Sequence, residues 1–395
     1  MNFISLLSSA TPPKSLWVTL INWLNSALGS FGWTIILITV LVKIVTLPLD
    51  FFVKLNTKNQ TLVQQKCAPQ VAKLQKKFGN DRQTLQVQTQ SLYKREGLDM
   101  RKGCIVMLIN TILSLTIFIT FYNDLQKVSA YEAINQYEQI ESTYYKEFVD
   151  FDSNDEFSSK EDVVNWYSSY DNMPTSTESE LNAKTAEYNR VKPIIDKASK
   201  ATVDFWKSNS SKSSWLWIQN IWVADSTTKP FPTYQSLQSM AKNSGYTTYV
   251  QENIVESNYE RISTLISDNT TRTNNGYYIL PILAGVITFL SQYISELHTK
   301  LKNKKANKLA KESNSSLNTS MKMMKIVLPI VMVIFTLTTS ASFGLYILAS
   351  NIATMAFGEL TTLIIDVMTK KKRLEVEESL AKEADRLIKK GKFKE

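Results

Sequence analysis

Lys43 is the residue whose position invites chemistry. It stands inside Gly32 to Pro48, an apolar run long enough to cross a membrane as a helix. An ammonium at the centre of a bilayer costs roughly 2.5 to 3.5 kcal/mol on insertion scales, so it must snorkel, pair or face water within the bilayer. A second apolar run carries Asn110 and Ser114 four residues apart, and Thr116 and Thr120 at the same spacing. Such pairs share a helix face and serve either helix-to-helix hydrogen bonding or a polar cavity. Glu359 and Asp366 lie in the last apolar run. Other chemistries find little support. His298 is the sole histidine, Cys67 and Cys104 are the sole cysteines, and no Cys/His cluster suggests a metal. Neither cofactor nor enzymatic activity is expected.

The elements that must position these groups are apolar helices. Mean hydropathy is only −0.16, but apolar residues concentrate in five runs, near 31–49, 103–122, 276–297, 324–340 and 343–367. Charge orients them. Residues 51–103 hold 11 Lys/Arg against 3 Asp/Glu, residues 297–325 hold 8 against 1, and the tail from 369 holds 10 against 6. These read as cytoplasmic. Residues 123–275 hold 14 Lys/Arg against 22 Asp/Glu, which agrees with export, and their lack of cysteine gives no reason to expect a structural disulfide. The expected fold is all-α: a multi-pass protein of a bacterial cell membrane, N-terminus outside and C-terminus inside. Transmembrane helices are expected at 31–52, 103–122, 276–297, 324–340 and 343–367. The remaining parts are an N-terminal segment (1–30), a cytoplasmic hairpin (53–102), an extracellular insertion (123–275), a basic loop (298–323) and a basic tail (368–395).

Phe3 to Leu7 is too short for a signal-peptide core and has no basic residue before it. Leu16 to Leu28 reads as an amphipathic helix, with Trp17 and Trp23 suited to a membrane interface. In the hairpin, Pro69 is expected to break the helix and Gly79-Asn80-Asp81 to turn it. Val71, Leu74 and Phe78 on one arm face Leu85, Gln88 and Leu92 on the other. Its outer faces are basic through Lys73, Lys76, Lys77, Arg82, Lys94 and Arg95. These suit solvent, anionic lipid or an acidic or RNA-bearing partner. In the exported block a seam from Leu181 through Lys184, Tyr188, Val191, Ile195, Ala198 and Thr202 to Phe205, interrupted by Pro193, suggests a helical hairpin or bundle. Trp215 to Trp222 forms an aromatic patch, a further helix is expected from about Tyr246 to Ile266, and Asn269-Thr270-Thr271 matches a glycosylation sequon.

Four segments in order resemble the YidC family of membrane protein insertases in its five-span bacterial form. They are Gly32-Trp33 to Leu47-Pro48-Leu49; Ala68-Pro69 to Asp81 with Leu92-Tyr93-Lys94 and Gly97; Gly103-Cys104 with Leu108-Ile109; and Tyr278 to Gly285, followed by Met324 to Pro329 and Gly344-Leu345-Tyr346 with Ala349-Ser350-Asn351. The resemblance implies a hydrophilic groove, open to cytoplasm and lipid, whose cation attracts the hydrophilic tail of a small membrane protein. Lys43 takes the cation's place, with Asn110, Ser114, Gln292, Tyr346, Ser350 and Asn351 as polar company. Glue between charge and site is supplied by Glu359, whose depth matches that of Lys43 and which is expected to temper it in the empty groove. The resemblance further implies nascent membrane proteins and lipid as partners, the Sec translocon and the ribosome as candidates, and no DNA.

The chain departs from that pattern. The family cation is usually arginine, and lysine lacks its bidentate fork. Prolines common in the second span and in the outer turn between the last two spans are absent, as is a lipobox cysteine. The insertion is far longer than the usual loop. A solute or ion transporter with buried charges, or an anchored extracellular domain of another activity, remains open at this point, although no internal repeat favours the former.

Overall fold

The computed structural model describes residues 10–98, 100–152, 156–269, 274–302 and 315–389. Phe3 to Leu7, Thr270 and Thr271 of the sequon, the centre of the basic loop and the side chain of His298 lie outside the described residues. Thirteen helices are described: α1 Leu16–Leu28, α2 Phe31–Phe78, α3 Arg82–Arg95, α4 Met100–Phe151, α5 Lys160–Asp171, α6 Glu178–Asn209, α7 Tyr234–Ser244, α8 Thr247–Asn253, α9 Glu256–Asp268, α10 Ile279–Lys302, α11 Ser315–Thr338, α12 Ala341–Met368 and α13 Lys370–Lys389. Each of the five apolar runs lies in a helix. Three of these, α2, α4 and α12, are long and apolar enough to cross a membrane; the apolar parts of α10 and α11, Ile279–Ile294 and Ile326–Thr338, are shorter.

Three boundaries expected from local rules are absent. Helix α2 runs 48 residues through both Pro48 and Pro69, so Pro69 does not break it. Helix α6 likewise passes Pro193 as one rod rather than a hairpin. An internal proline costs about 3 kcal/mol, but in α6 the helix beyond Pro193 buries Ala198, Thr202, Val203 and Trp206, which favours continuation. Helix α4 does not stop near Tyr122 but carries on to Phe151. In the opposite sense, the single helix expected near 246–266 is two, separated at Ile254-Val255.

The chain divides into two compact units. The first comprises residues 1–37, 120–282 and 334–346. Its core is built from the far half of α4, which buries Ala133, Ile134, Tyr137, Ile140, Tyr144 and Phe148 against residues of α5 to α9 such as Val163, Trp206, Leu237 and Tyr259. Spacings of three and four along α4 make this one face. Buried Glu141 is paired: the Tyr137 hydroxyl donates to its Oε1 at 3.0 Å, and Lys160 meets its Oε2 at 2.9 Å. In α1, Ser15 caps the first turn, and Val18, Ile21 and Leu24 are buried while Trp23 is exposed.

Below that core the aromatic segment does not form a helix. It becomes a loop that binds the starts and ends of several apolar helices. Asn275 Nδ2 donates to the carbonyls of Asn220, Val223 and Ala224 at 2.8, 3.3 and 3.1 Å, and its Oδ1 accepts from Asn220 N at 2.8 Å. The Val223 and Ile221 carbonyls then accept from the backbone of Ala341 and Ser342 at the head of α12, at 2.9 and 2.7 Å. Ser226 Oγ donates to the Leu337 carbonyl near the end of α11 at 2.7 Å. Asp225 Oδ2 accepts from Leu280 N at the head of α10 at 3.2 Å. A Cβ at Gly276 would lie 1.4 Å from Asp225 Oδ1, and one at Gly32 would lie 2.2 Å from the Trp215 ring. Both approaches require glycine. Phe31 and Trp33 at the head of α2 meet Trp222 and Trp215 edge to face, with centroids 4.7 and 5.5 Å apart.

The second unit comprises residues 38–119, 283–333 and 347–395. It exposes large apolar side chains along its helices, among them Ile105, Leu108 and Ile112 of α4, Phe289 of α10 and Leu363 and Val367 of α12. Apolar surface on this scale is what lipid covers.

Asn275→Ala should destabilise the first unit, since it removes the acceptor of the buried Asn220 N–H along with three further hydrogen bonds, and a buried donor left unsatisfied costs about 1 to 3 kcal/mol. A tryptophan-fluorescence melt of the detergent-purified chain is expected to shift down by several degrees; an unchanged melt would show that this network does not hold the loop.

Candidate functional site

On α2 the charges form a stripe. Lys43, Asp50, Lys54 and Lys58 are separated by seven, four and four residues, which places all four on one helix face. Lys43 lies half-buried, with Ile38, Thr39 and Thr46 buried nearby in the sequence. Its carbonyl accepts from Thr46 Oγ1 at 3.2 Å, while its ammonium makes no ion pair with a described residue. The carboxylate whose field acts on it is Asp50, two turns or about 10 Å along the axis. Asn110 Nδ2 of α4 donates to Asp50 Oδ1 at 3.1 Å, and Asn110 Oδ1 is buried with no partner among the described residues.

The expected Glu359 to Lys43 pairing is not how the charges are arranged. Glu359 acts electrostatically on Lys54, one helical turn beyond Asp50. Lys54 Nζ donates to the Gly358 carbonyl at 3.0 Å and to Thr361 Oγ1 at 3.2 Å. Lys58 forms an ion pair with Asp366 at 3.1 Å. Farther on, Lys372 Nζ donates to Asn59 Oδ1 at 3.4 Å and Lys73 meets Glu383 at 2.7 Å. Numbers rise together on both sides of this ladder, so α2 runs parallel to α12 and α13.

The other expected groove residues separate into clusters. Asn351 Nδ2 donates to Thr288 Oγ1 at 2.8 Å, joining α12 to α10. Gln292, one turn after Thr288, has a buried Nε2 with no partner among the described residues. Ser350 is half-buried beside Asn351 in the sequence, and Ser114 is exposed on α4. Tyr346 lies in the first unit, in an aromatic cluster with Phe121 and Phe343 at centroid distances of 4.7 and 5.7 Å.

In the hairpin of α2 and α3, Lys73, Lys76, Lys77, Arg82, Lys94 and Arg95 are all exposed. Packing is concentrated at its base, where Leu62, Cys67, Leu92 and Leu98 are buried. Of the apolar positions expected to zip the arms, only Leu92 is buried; Val71, Leu74, Phe78 and Leu85 are half-buried and Gln88 is exposed. Lys66 meets Glu96 at 2.6 Å across the same base, and burial pushes the Cys67 thiol up.

The fold and this charged seam can now be set beside known proteins. The family model described as 60Kd inner membrane protein matches residues 23–368. The chain belongs to that family, the YidC/Oxa1 family. Curated relatives named Membrane protein insertase YidC include one from Wolinella succinogenes, 31% identical over 109 residues, which are 27% of this chain and 19% of that protein. One from Bordetella avium is 34% identical over 105 residues, 26% of this chain and 17% of that protein. One from Fusobacterium nucleatum is 30% identical over 105 residues, 27% of this chain and 49% of that protein. The matched stretch thus spans from under a fifth to about half of these YidC relatives. No solved structure matches.

Sequence reasoning passed over Asp50, Lys54 and Lys58 as site residues. Their seven-four-four spacing from Lys43 was the available signal.

If the ladder holds, Lys73→Cys with Glu383→Cys, in a chain whose native cysteines are serine, should be joined by a short bis-maleimide. A faster-migrating band on a denaturing gel is expected for the pair and not for either single cysteine; its absence would show that α13 does not lie along α2.

Proposed function

We propose that this chain is a membrane protein insertase and chaperone of the bacterial cell membrane. It receives nascent membrane proteins at a hydrophilic groove and releases their apolar helices into lipid, alone or beside the Sec translocon. The single observation that carries this reading is Lys43 with Asp50, the latter held by Asn110, in the apolar first part of α2 of a YidC-family chain. Polar groups at that depth are costly and mark a path for something polar.

In this mechanism Lys43 attracts the acidic, hydrophilic tail of a substrate. Asn110, Ser114, Gln292, Ser350 and Asn351 offer hydrogen-bond partners along the way, and Glu359 steadies Lys54. The exposed hairpin cations Lys73, Lys76, Lys77, Arg82, Lys94 and Arg95 make first contact with substrate, and the basic tail is the candidate ribosome contact. Apolar transfer and the membrane potential drive insertion, with no nucleotide hydrolysed.

Five crossings, with the N-terminus outside and the C-terminus inside, complete the proposal. The parallel course of α2 and α12 supports it, because first and fifth crossings run in the same direction. The arrangement of 123–275 as an extracellular insertion is supported by its acidic balance and by the way its loop meets the helix ends at Leu280, Leu337 and Ala341.

The test is depletion of this protein in its own cell, complemented by wild type or Lys43→Ala, with insertion of a small two-span substrate read by protease protection. Wild type should restore insertion and Lys43→Ala should lose most of it. Rescue by both would remove Lys43 from the mechanism, and normal insertion throughout depletion would refute the insertase reading.

A further inference from the structure

A cavity of about 190 Å³ in the first unit holds none of the groups assigned to the proposed insertase site. Its wall includes Glu132 and Gln136 of α4, Trp206 of α6, Phe31 and Trp222, and Lys212 stands exposed at its lining. Glu132 accepts no hydrogen bond or ion pair from a described residue. The remaining polar groups are engaged: Gln136 Oε1 accepts from Asn220 Nδ2 at 2.8 Å, and Lys212 Nζ donates to Asn209 Oδ1 at 3.0 Å.

A partly buried carboxylate without a partner is a cost to the fold, and burial holds Glu132 up to about 7. Folding therefore favours its protonated form, so the stability it contributes is lost as pH rises from its ordinary value through 7. A residue kept at such a cost is a candidate for binding. What an anion among aromatic rings accepts best is an organic ammonium, held by charge, by hydrogen bonds and by cation–π attraction. Lys212 adds the opposite charge on the same wall. The size is informative, since a cavity of about 150 Å³ takes up benzene.

We propose that this cavity binds a small zwitterion of the phosphoethanolamine type, its primary ammonium on Glu132 and its anionic group toward Lys212. Phe31 begins the first apolar run, so the same chemistry is available from an ethanolamine lipid headgroup or from a free solute. Nothing in this site touches Lys43 or Asp50, and it stands or falls independently of the insertase reading.

The experiment is calorimetric titration of the full-length protein in detergent with phosphoethanolamine, and with glycerol phosphate, which lacks the amine. Phosphoethanolamine should bind at pH 8 and glycerol phosphate should not. Glu132→Gln should weaken binding roughly tenfold or more, the scale of a lost hydrogen bond to a charged group, and Lys212→Gln should weaken it less. Glu132 and Lys212 are the titratable residues of the cavity wall. With taurine, whose sulfonate does not titrate, wild-type affinity should therefore rise from pH 6 to pH 8, a readout that needs no variant. Loss of soluble binding in phosphatidylethanolamine nanodiscs, but not in phosphatidylglycerol ones, would assign the lipid headgroup; binding retained in both would assign the free solute. Equal binding of glycerol phosphate, unchanged affinity in Glu132→Gln, no pH dependence with taurine, or no binding at all would overturn the proposal.

Discussion

The constraint on which the structure turns is the cost of charge in an apolar helix. Lys43, Asp50, Lys54 and Lys58 share one face of α2, and Lys43 and Asp50, within the expected span 31–52, must be satisfied where water is scarce. The solutions grade along the helix. Lys58 has a full ion pair with Asp366, Lys54 has a carbonyl and a hydroxyl, Asp50 has one amide, and the Lys43 ammonium has only the field of Asp50 among the described residues. The three lower positions tie helices together. Lys43 is left with capacity for a further anion, and in the proposed mechanism that anion belongs to the substrate. Lysine suits such a transient role, because it binds as a point charge and does not demand the fixed fork geometry of arginine.

The segment 123–275 solves a different problem. Its helical core is conventional, with aromatic and aliphatic side chains on one face of α4 buried by α5 to α9. Its loop from Trp215 to Phe231, held by Asn220 and Asn275, uses two backbone carbonyls and the Asp225 carboxylate to take up N–H groups at the heads of α12 and α10. Helix ends have orphan donors that need partners, and here a segment distant in sequence supplies them. The length of the insertion thereby acquires a structural use that its composition alone does not suggest.

Much of the helical layout was legible because apolar runs and turn residues act locally. All five apolar runs lie in helices, α1 begins at Leu16, and the tight connection between α11 and α12 falls where Thr338 to Ser342 left no room for more. What was not legible depends on partners far away in the chain. Pro69 and Pro193 look like breaks when only local hydrogen bonding is considered, yet both lie inside continuous helices. Glu359 has a depth that suits Lys43, but depth does not fix rotation about the helix axis, and its field falls on Lys54. Tyr346 reads as a polar group, and its ring joins Phe121 in an aromatic cluster that periodicity does not show. Asn220 and Asn275 carry no periodic signal at all, since their pairing joins backbone groups 55 residues apart.

The central claim is that the cation at position 43 recognises negative charge on the substrate, and charge exchange tests it most directly. Purified protein in proteoliposomes, wild type or Lys43→Glu, would be presented with a small substrate whose hydrophilic tail is acidic or has those acids replaced by lysine, and insertion would be measured by protease protection. The account predicts that Lys43→Glu fails with the acidic tail and recovers with the basic one. Equal insertion of the acidic tail by both proteins, or failure of the variant with either tail while it remains folded, would contradict it.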